Sequence, residues 1–104
     1  MTVRNIDAKQ YEELILGSKP VLVDFWAPWC TYCRRIEPAI NKLADSREDI
    51  LVVKVNIDEE PALALQEQVE VIPTLVLYRD GYELGSIVAP ESRSRIEAFL
   101  EESL

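Results

Sequence analysis

Apolar residues fall into two rhythms along this chain. Three runs are almost continuous: Val21 to Ala27, Ile50 to Val55 and Leu75 to Tyr78. Short apolar runs rich in β-branched residues and bounded by Pro, Asn, Asp or Gly read as strands buried on both faces. Elsewhere the apolar positions recur at helical spacing. Ala8, Tyr11, Leu14 and Ile15 make one stripe, ended by Gly17; Ile36, Ile40, Leu43 and Ala44 make a second; Ile96, Phe99 and Leu100 make a third. Asp7 followed by Gln10 predicts a capping box for the first helix, and Ser94 followed by Glu97 a second for the last, which starts near Ser92 or Ser94. Pro38 lies within the middle stripe. The stripe continues beyond it, so a kink is expected there rather than a helix end.

Shorter signals complete the order. Val3 to Ile6 reads as a short strand, and Pro61 suits the first turn of a short helix running to about Gln68. Asp80-Gly81 predicts a hairpin turn into a strand from Glu83 to Val88. The resulting order is β-α-β-α-β-α-β-β-α, one α/β domain over residues 1–104 with no linker or repeat. Buried strands joined by helices imply parallel pairing through right-handed crossovers, with an antiparallel hairpin at the end.

Charge narrows the range of partners. With 11 basic and 19 acidic side chains, the net charge of the 104 residues is −8, so neither nucleic acid nor an anionic membrane is an expected partner. The apolar fraction of 48% is enough for one core. There is no histidine, which removes Cys–His and Ser–His nucleophilic pairs and any histidine metal site. Met1 to Asp7 lacks the apolar centre of a secretory leader, and no run reaches membrane-spanning length. A cytoplasmic location is therefore expected, where a lone cysteine pair is more often catalytic than structural.

The only two cysteines, Cys30 and Cys33, stand where the first long strand turns through Ala27-Pro28 into the second helix. Within one helical turn they can close a disulfide. A helix N-terminus offers unpaired amides and the positive end of the dipole, both of which favour thiolate, the reactive form. With Cys30 as N-cap, its sulfur takes the place of a capping oxygen, and the candidate donors are the amides of Tyr32 and Cys33. Arg34 adds positive charge four residues on. Two other readings stand beside this one: inert core cysteines, and half of a four-thiolate metal site shared between two chains. Asp24 interrupts its apolar strand. A buried carboxyl has a raised pKa and suits proton exchange with a thiol, or it is a structural acid paired with Lys54, itself embedded in the next apolar run. Trp29 either packs on the helix start or offers a partner an apolar contact.

The ordered set Val23-Asp24-Phe25-Trp26-Ala27-Pro28-Trp29-Cys30, Cys33, Pro38, Lys54-Val55-Asn56-Ile57-Asp58, Ile72-Pro73-Thr74 and Asp80-Gly81 resembles the thioredoxin family over nearly the whole chain. The resemblance implies a thioredoxin fold, a central five-stranded mixed sheet flanked by four helices. It implies a thiol–disulfide oxidoreductase that reduces protein disulfides, with Cys30 as nucleophile and Cys33 as resolving thiol. Asp24, beside Lys54, would move the proton of Cys33. Trp29, Thr31, Tyr32, Ile72, a cis Pro73 and Ala89 would line the substrate side. It further implies a monomer that needs no cofactor or metal beyond the cysteine pair and is re-reduced by a flavoprotein thioredoxin reductase. A dedicated binding module, a weaker reductant and a disulfide isomerase remain alternatives. Two departures from the family pattern stand out: Thr31-Tyr32 stands where Gly-Pro is usual, and Ala89 where Gly is usual. The amide that Tyr32 has and Pro lacks is expected to bond the Cys30 sulfur, with the Thr31 hydroxyl a second candidate donor, and to make the pair a weaker reductant.

Overall fold

The computed structural model describes residues 3–104. Its elements are β1 (Arg4–Asn5), α1 (Ala8–Ile15), β2 (Val21–Trp26), α2 (Thr31–Ser46), β3 (Leu51–Asn56), α3 (Pro61–Gln66), β4 (Thr74–Arg79), β5 (Tyr82–Val88) and α4 (Arg93–Ser103). They build one five-stranded sheet in the order β1-β3-β2-β4-β5. β3 pairs in parallel with both β1 and β2. β4 instead runs antiparallel to β2, and β5 antiparallel to β4. Helix-linked strands were expected to be parallel throughout, and the reason they are not is length. The six residues of α3 span about 9 Å, less than half of the ~20 Å of a six-residue strand. The chain therefore re-enters the sheet at the end where β3 left it.

The period-two alternation of the strands divides the core between two layers. Leu22, Val52, Leu75 and Leu77 face Ile36, Ile40 and Leu43 of α2 and Ile96, Phe99 and Leu100 of α4. On the other side Val21, Val23, Phe25, Val53, Val55 and Val76 face Tyr11 of α1 and Leu63 of α3. Each fully buried large side chain contributes roughly 1.5–3 kcal/mol. Asp24 and Lys54 fall in the Leu22 and Val52 phase, so both point to the α2 side of the sheet.

Helix ends explain several local features. Asp7 and Gln10 close the expected capping box on α1. α4 differs: Ser92 is its N-cap, with Oγ accepting the Arg95 amide at 3.2 Å, and Ser94 lies inside the helix. The two serines are alike in sequence, but Ser92 has the extended backbone that a cap requires. α2 continues through Pro38 to Ser46. The β4–β5 turn has φ of 54° at Asp80 and 83° at Gly81. Left-handed values at both central residues are those of a two-residue hairpin turn that follows the sheet twist.

Candidate active site

β2 ends at Trp26, and a turn closed by the Cys30 amide on the Ala27 carbonyl at 3.1 Å sets Cys30 at the start of α2. Cys30 has extended backbone and is the N-cap; its sulfur accepts the Cys33 amide at 3.1 Å. The two cysteines are joined as a disulfide with Cα atoms 5.3 Å apart. The Tyr32 amide makes no bond to this sulfur, nor does the Thr31 hydroxyl, and Thr31 is exposed. The expectation of a weaker reductant thus loses the donors on which it was based. The Cys33 amide is present whichever residue occupies position 32. Cys30 is 8% exposed, against 2% for Cys33. It remains the more accessible of the pair.

The expected site residues partly converge. Ala27, Cys30 and Cys33 form a small cluster, with Trp26, Tyr32, Ile57 and Ile72 packed around it. Cys30 Sγ lies 3.9 Å from the Ile72 carbonyl oxygen. The Ile72–Pro73 bond is cis. The Thr74 hydroxyl donates to the Val71 carbonyl, closing the turn behind it. Ala89, with φ of 44°, donates its amide to the Pro73 carbonyl at 2.8 Å. Trp29 is 66% exposed, and its indole N–H reaches both carboxylate oxygens of Asp58, at 3.0 and 3.2 Å.

Asp24 and Lys54 are register neighbours on β2 and β3, yet they do not form the expected ion pair. Lys54 Nζ lies 3.6 Å from Glu37 Oε2 and 4.4 Å from the centre of the Trp26 ring. A lysine stem is long enough to choose: α2 brings it the Glu37 carboxylate, and the end of β2 the face of Trp26. Asp24 is left 4% exposed, with Oδ1 lacking any hydrogen-bond partner. Burial pushes its carboxyl up to about 7; the Lys54 charge opposes this and the Glu37 charge adds to it.

Glu37 and Asp58 are the residues that sequence reasoning missed. Asp58 stood within the quoted Asn56-Ile57-Asp58 segment, and the Asn56 side chain accepts its amide at 2.9 Å. Glu37 carried no signal beyond its place between Cys33 and Pro38. No group of three or more metal-binding Cys, Asp or Glu side chains occurs among the described residues. No described helix is long and apolar enough to cross a membrane.

A cap sulfur that exchanges its amide-stabilised thiolate for a disulfide with the next turn defines a thiol–disulfide oxidoreductase. Comparison with known proteins specifies the class. The family model described as Thioredoxin matches residues 2–102. Thioredoxin 1 of Synechococcus elongatus is 39% identical over 99 residues, covering 94% of this chain and 92% of that protein. The thioredoxin of Porphyra purpurea is 38% identical over 95 residues, covering 90% and 89%. Among solved structures, Malassezia sympodialis thioredoxin superposes with a TM-score of 0.88 at 28% identity, covering 99% of this chain and 94% of that one. Oxidised mitochondrial thioredoxin 3 from Saccharomyces cerevisiae gives 0.86 at 28% identity, with 96% and 94% covered. The chain belongs to the thioredoxin family. Its activity is that of the family, thiol–disulfide exchange of the protein-disulfide reductase type.

Proposed function

We propose that Cys30 is the attacking thiol and Cys33 the resolving one, within a domain spanning residues 1–104 that works as a monomer in the cytoplasm. The Cys30 thiolate attacks one sulfur of a protein disulfide. That S–S bond breaks, a mixed disulfide forms, and the departing sulfur takes a proton. Cys33 then passes its proton to the ionised Asp24 carboxylate and attacks Cys30 Sγ, releasing the second substrate thiol. The substrate gains two electrons and two protons, and the Cys30–Cys33 disulfide remains. A separate flavoprotein reductase of the thioredoxin reductase type returns the two electrons; no metal or further cofactor takes part. Trp29, Ile72, Pro73 and Ala89 flank the docking side, with Thr31 and Tyr32 between the two cysteines in the chain, and Lys54 sets the charge beside Asp24.

The observation that carries this assignment is the N-cap. The Cys30 sulfur accepts a hydrogen bond from the Cys33 amide, which stabilises a thiolate, and it is the less buried of the two. Trapping tests it. Cys33→Ser accumulates mixed disulfides with protein substrates through Cys30, because nothing resolves them, and Cys30→Ser accumulates few. Equal trapping by both variants refutes the roles.

A further inference from the structure

Tyr32 and Ala89 lie far apart in sequence, and the fold brings their neighbourhoods together. The Tyr32 hydroxyl donates to the Pro90 carbonyl at 2.7 Å, linking the first turn of α2 to the loop between β5 and α4. The next residue back, Ala89, donates its amide to the Pro73 carbonyl at 2.8 Å. The adjoining Ile72 carbonyl touches Cys30 Sγ at 3.9 Å. These contacts make a ring around the disulfide: α2, Tyr32, the Val88–Pro90 loop, the cis-proline turn, and back to Cys30.

One member of this ring resists its own conformation. Ala89 has φ of 44°, a left-handed value that a Cβ atom opposes and that glycine adopts freely. A loop held there needs an external tie. The Tyr32 hydroxyl is the side-chain tie that reaches it, and the ring that bears the hydroxyl is packed against the sulfur cluster.

We propose that Tyr32 is a positioning residue for substrate: its hydroxyl locks the Val88–Pro90 loop as a fixed wall beside the disulfide, against the backbone preference of Ala89. This rests on the reading that Cys30 attacks substrates seated between that loop and the Ile72–Pro73 turn. A macromolecular disulfide must lie along both walls, whereas a small disulfide needs only the sulfur. The wall is therefore a device for selecting extended protein segments.

The test uses the pre-reduced full chain and second-order rate constants with insulin and with hydroxyethyl disulfide. Tyr32→Phe keeps the ring and removes the tie. The insulin constant is expected to fall about fivefold relative to the hydroxyethyl disulfide constant, the worth of one neutral hydrogen bond. In an Ala89→Gly background the same substitution has less than half that effect on the ratio, because glycine holds the left-handed backbone unaided. Equal falls with both disulfides, or the same Tyr32→Phe factor in both backgrounds, overturn the proposal. Cys30→Ser, run alongside, separates the two levels. It abolishes reaction with both disulfides if the nucleophile is rightly assigned, and if it still reacts, both readings fail.

Discussion

Glu67 and Asp24 are both carboxylic acids withdrawn from water, and the fold treats them in opposite ways. Glu67, just past α3, receives two phenols on one oxygen: Tyr11 at 2.7 Å and Tyr78 at 2.5 Å. Those rings meet edge to face, with centroids 5.4 Å apart. Burial would raise the Glu67 carboxyl, but the Tyr78 and Tyr11 hydroxyls outweigh it and hold the group below its usual range. Asp24 is buried more deeply, lacks a partner at Oδ1 and is pushed up to about 7. Burial is the largest influence on both; at half-buried Glu67 the two phenols reverse it, and at the deeper Asp24 no donor to Oδ1 is there to do so. A carboxylate given two hydroxyls becomes a structural anchor. One left short of donors takes up a proton near neutrality and can hand it on.

Asp24→Asn breaks the comparison with the largest expected effect. The folded pKa lies above the unfolded value of about 4, so the folded state binds the extra proton between the two. Stability from this group is then fully present below about pH 4 and falls as pH rises toward 7. The Asn variant escapes that loss. It should match the wild type near pH 4 and exceed it above pH 7 by up to about 4 kcal/mol, while turnover slows for want of a titrating group. Urea unfolding at both pH values checks the first part, and a rate assay the second. A variant less stable than wild type at pH 8 breaks the argument.

The opposite change, removing donors from Glu67, has a smaller effect of the other sign. Tyr11→Phe with Tyr78→Phe should cost about 1–3 kcal/mol, toward the low end because Glu67 is only half-buried. Since the folded pKa of Glu67 is depressed, this contribution is present above its unfolded value and lost as pH falls through the folded one. The destabilisation should therefore shrink in acid. Urea midpoints for the double variant at pH 3 and pH 7 decide it, and an equal loss at both would assign the effect to packing.

The apolar stripes, the capping box on α1, the hairpin turn and the cysteine pair were legible in the sequence because each depends on residues near one another in the chain. The antiparallel β4 was not, since it turns on how far a six-residue helix reaches. Nor was the loss of Lys54 to Glu37, because strand register makes Asp24 its neighbour and only the approach of α2 supplies the competing carboxylate. Both isomers of an X–Pro bond are open to any sequence, so cis Ile72–Pro73 could only be borrowed from the resemblance. The Tyr32–Pro90 bond joins residues 58 positions apart. Nothing local marks it.

The most direct measurement is the titration of the Asp24 and Glu67 carboxyl carbons by NMR in the oxidised protein. Asp24 should titrate at about 7, and Glu67 below the usual glutamate range. In Glu37→Gln the Asp24 midpoint should move down modestly, as a negative charge is removed and Lys54 is released toward Asp24. An Asp24 that titrates near 4, or one that stays in place when Glu37 is neutralised and sits no higher than Glu67, contradicts the account.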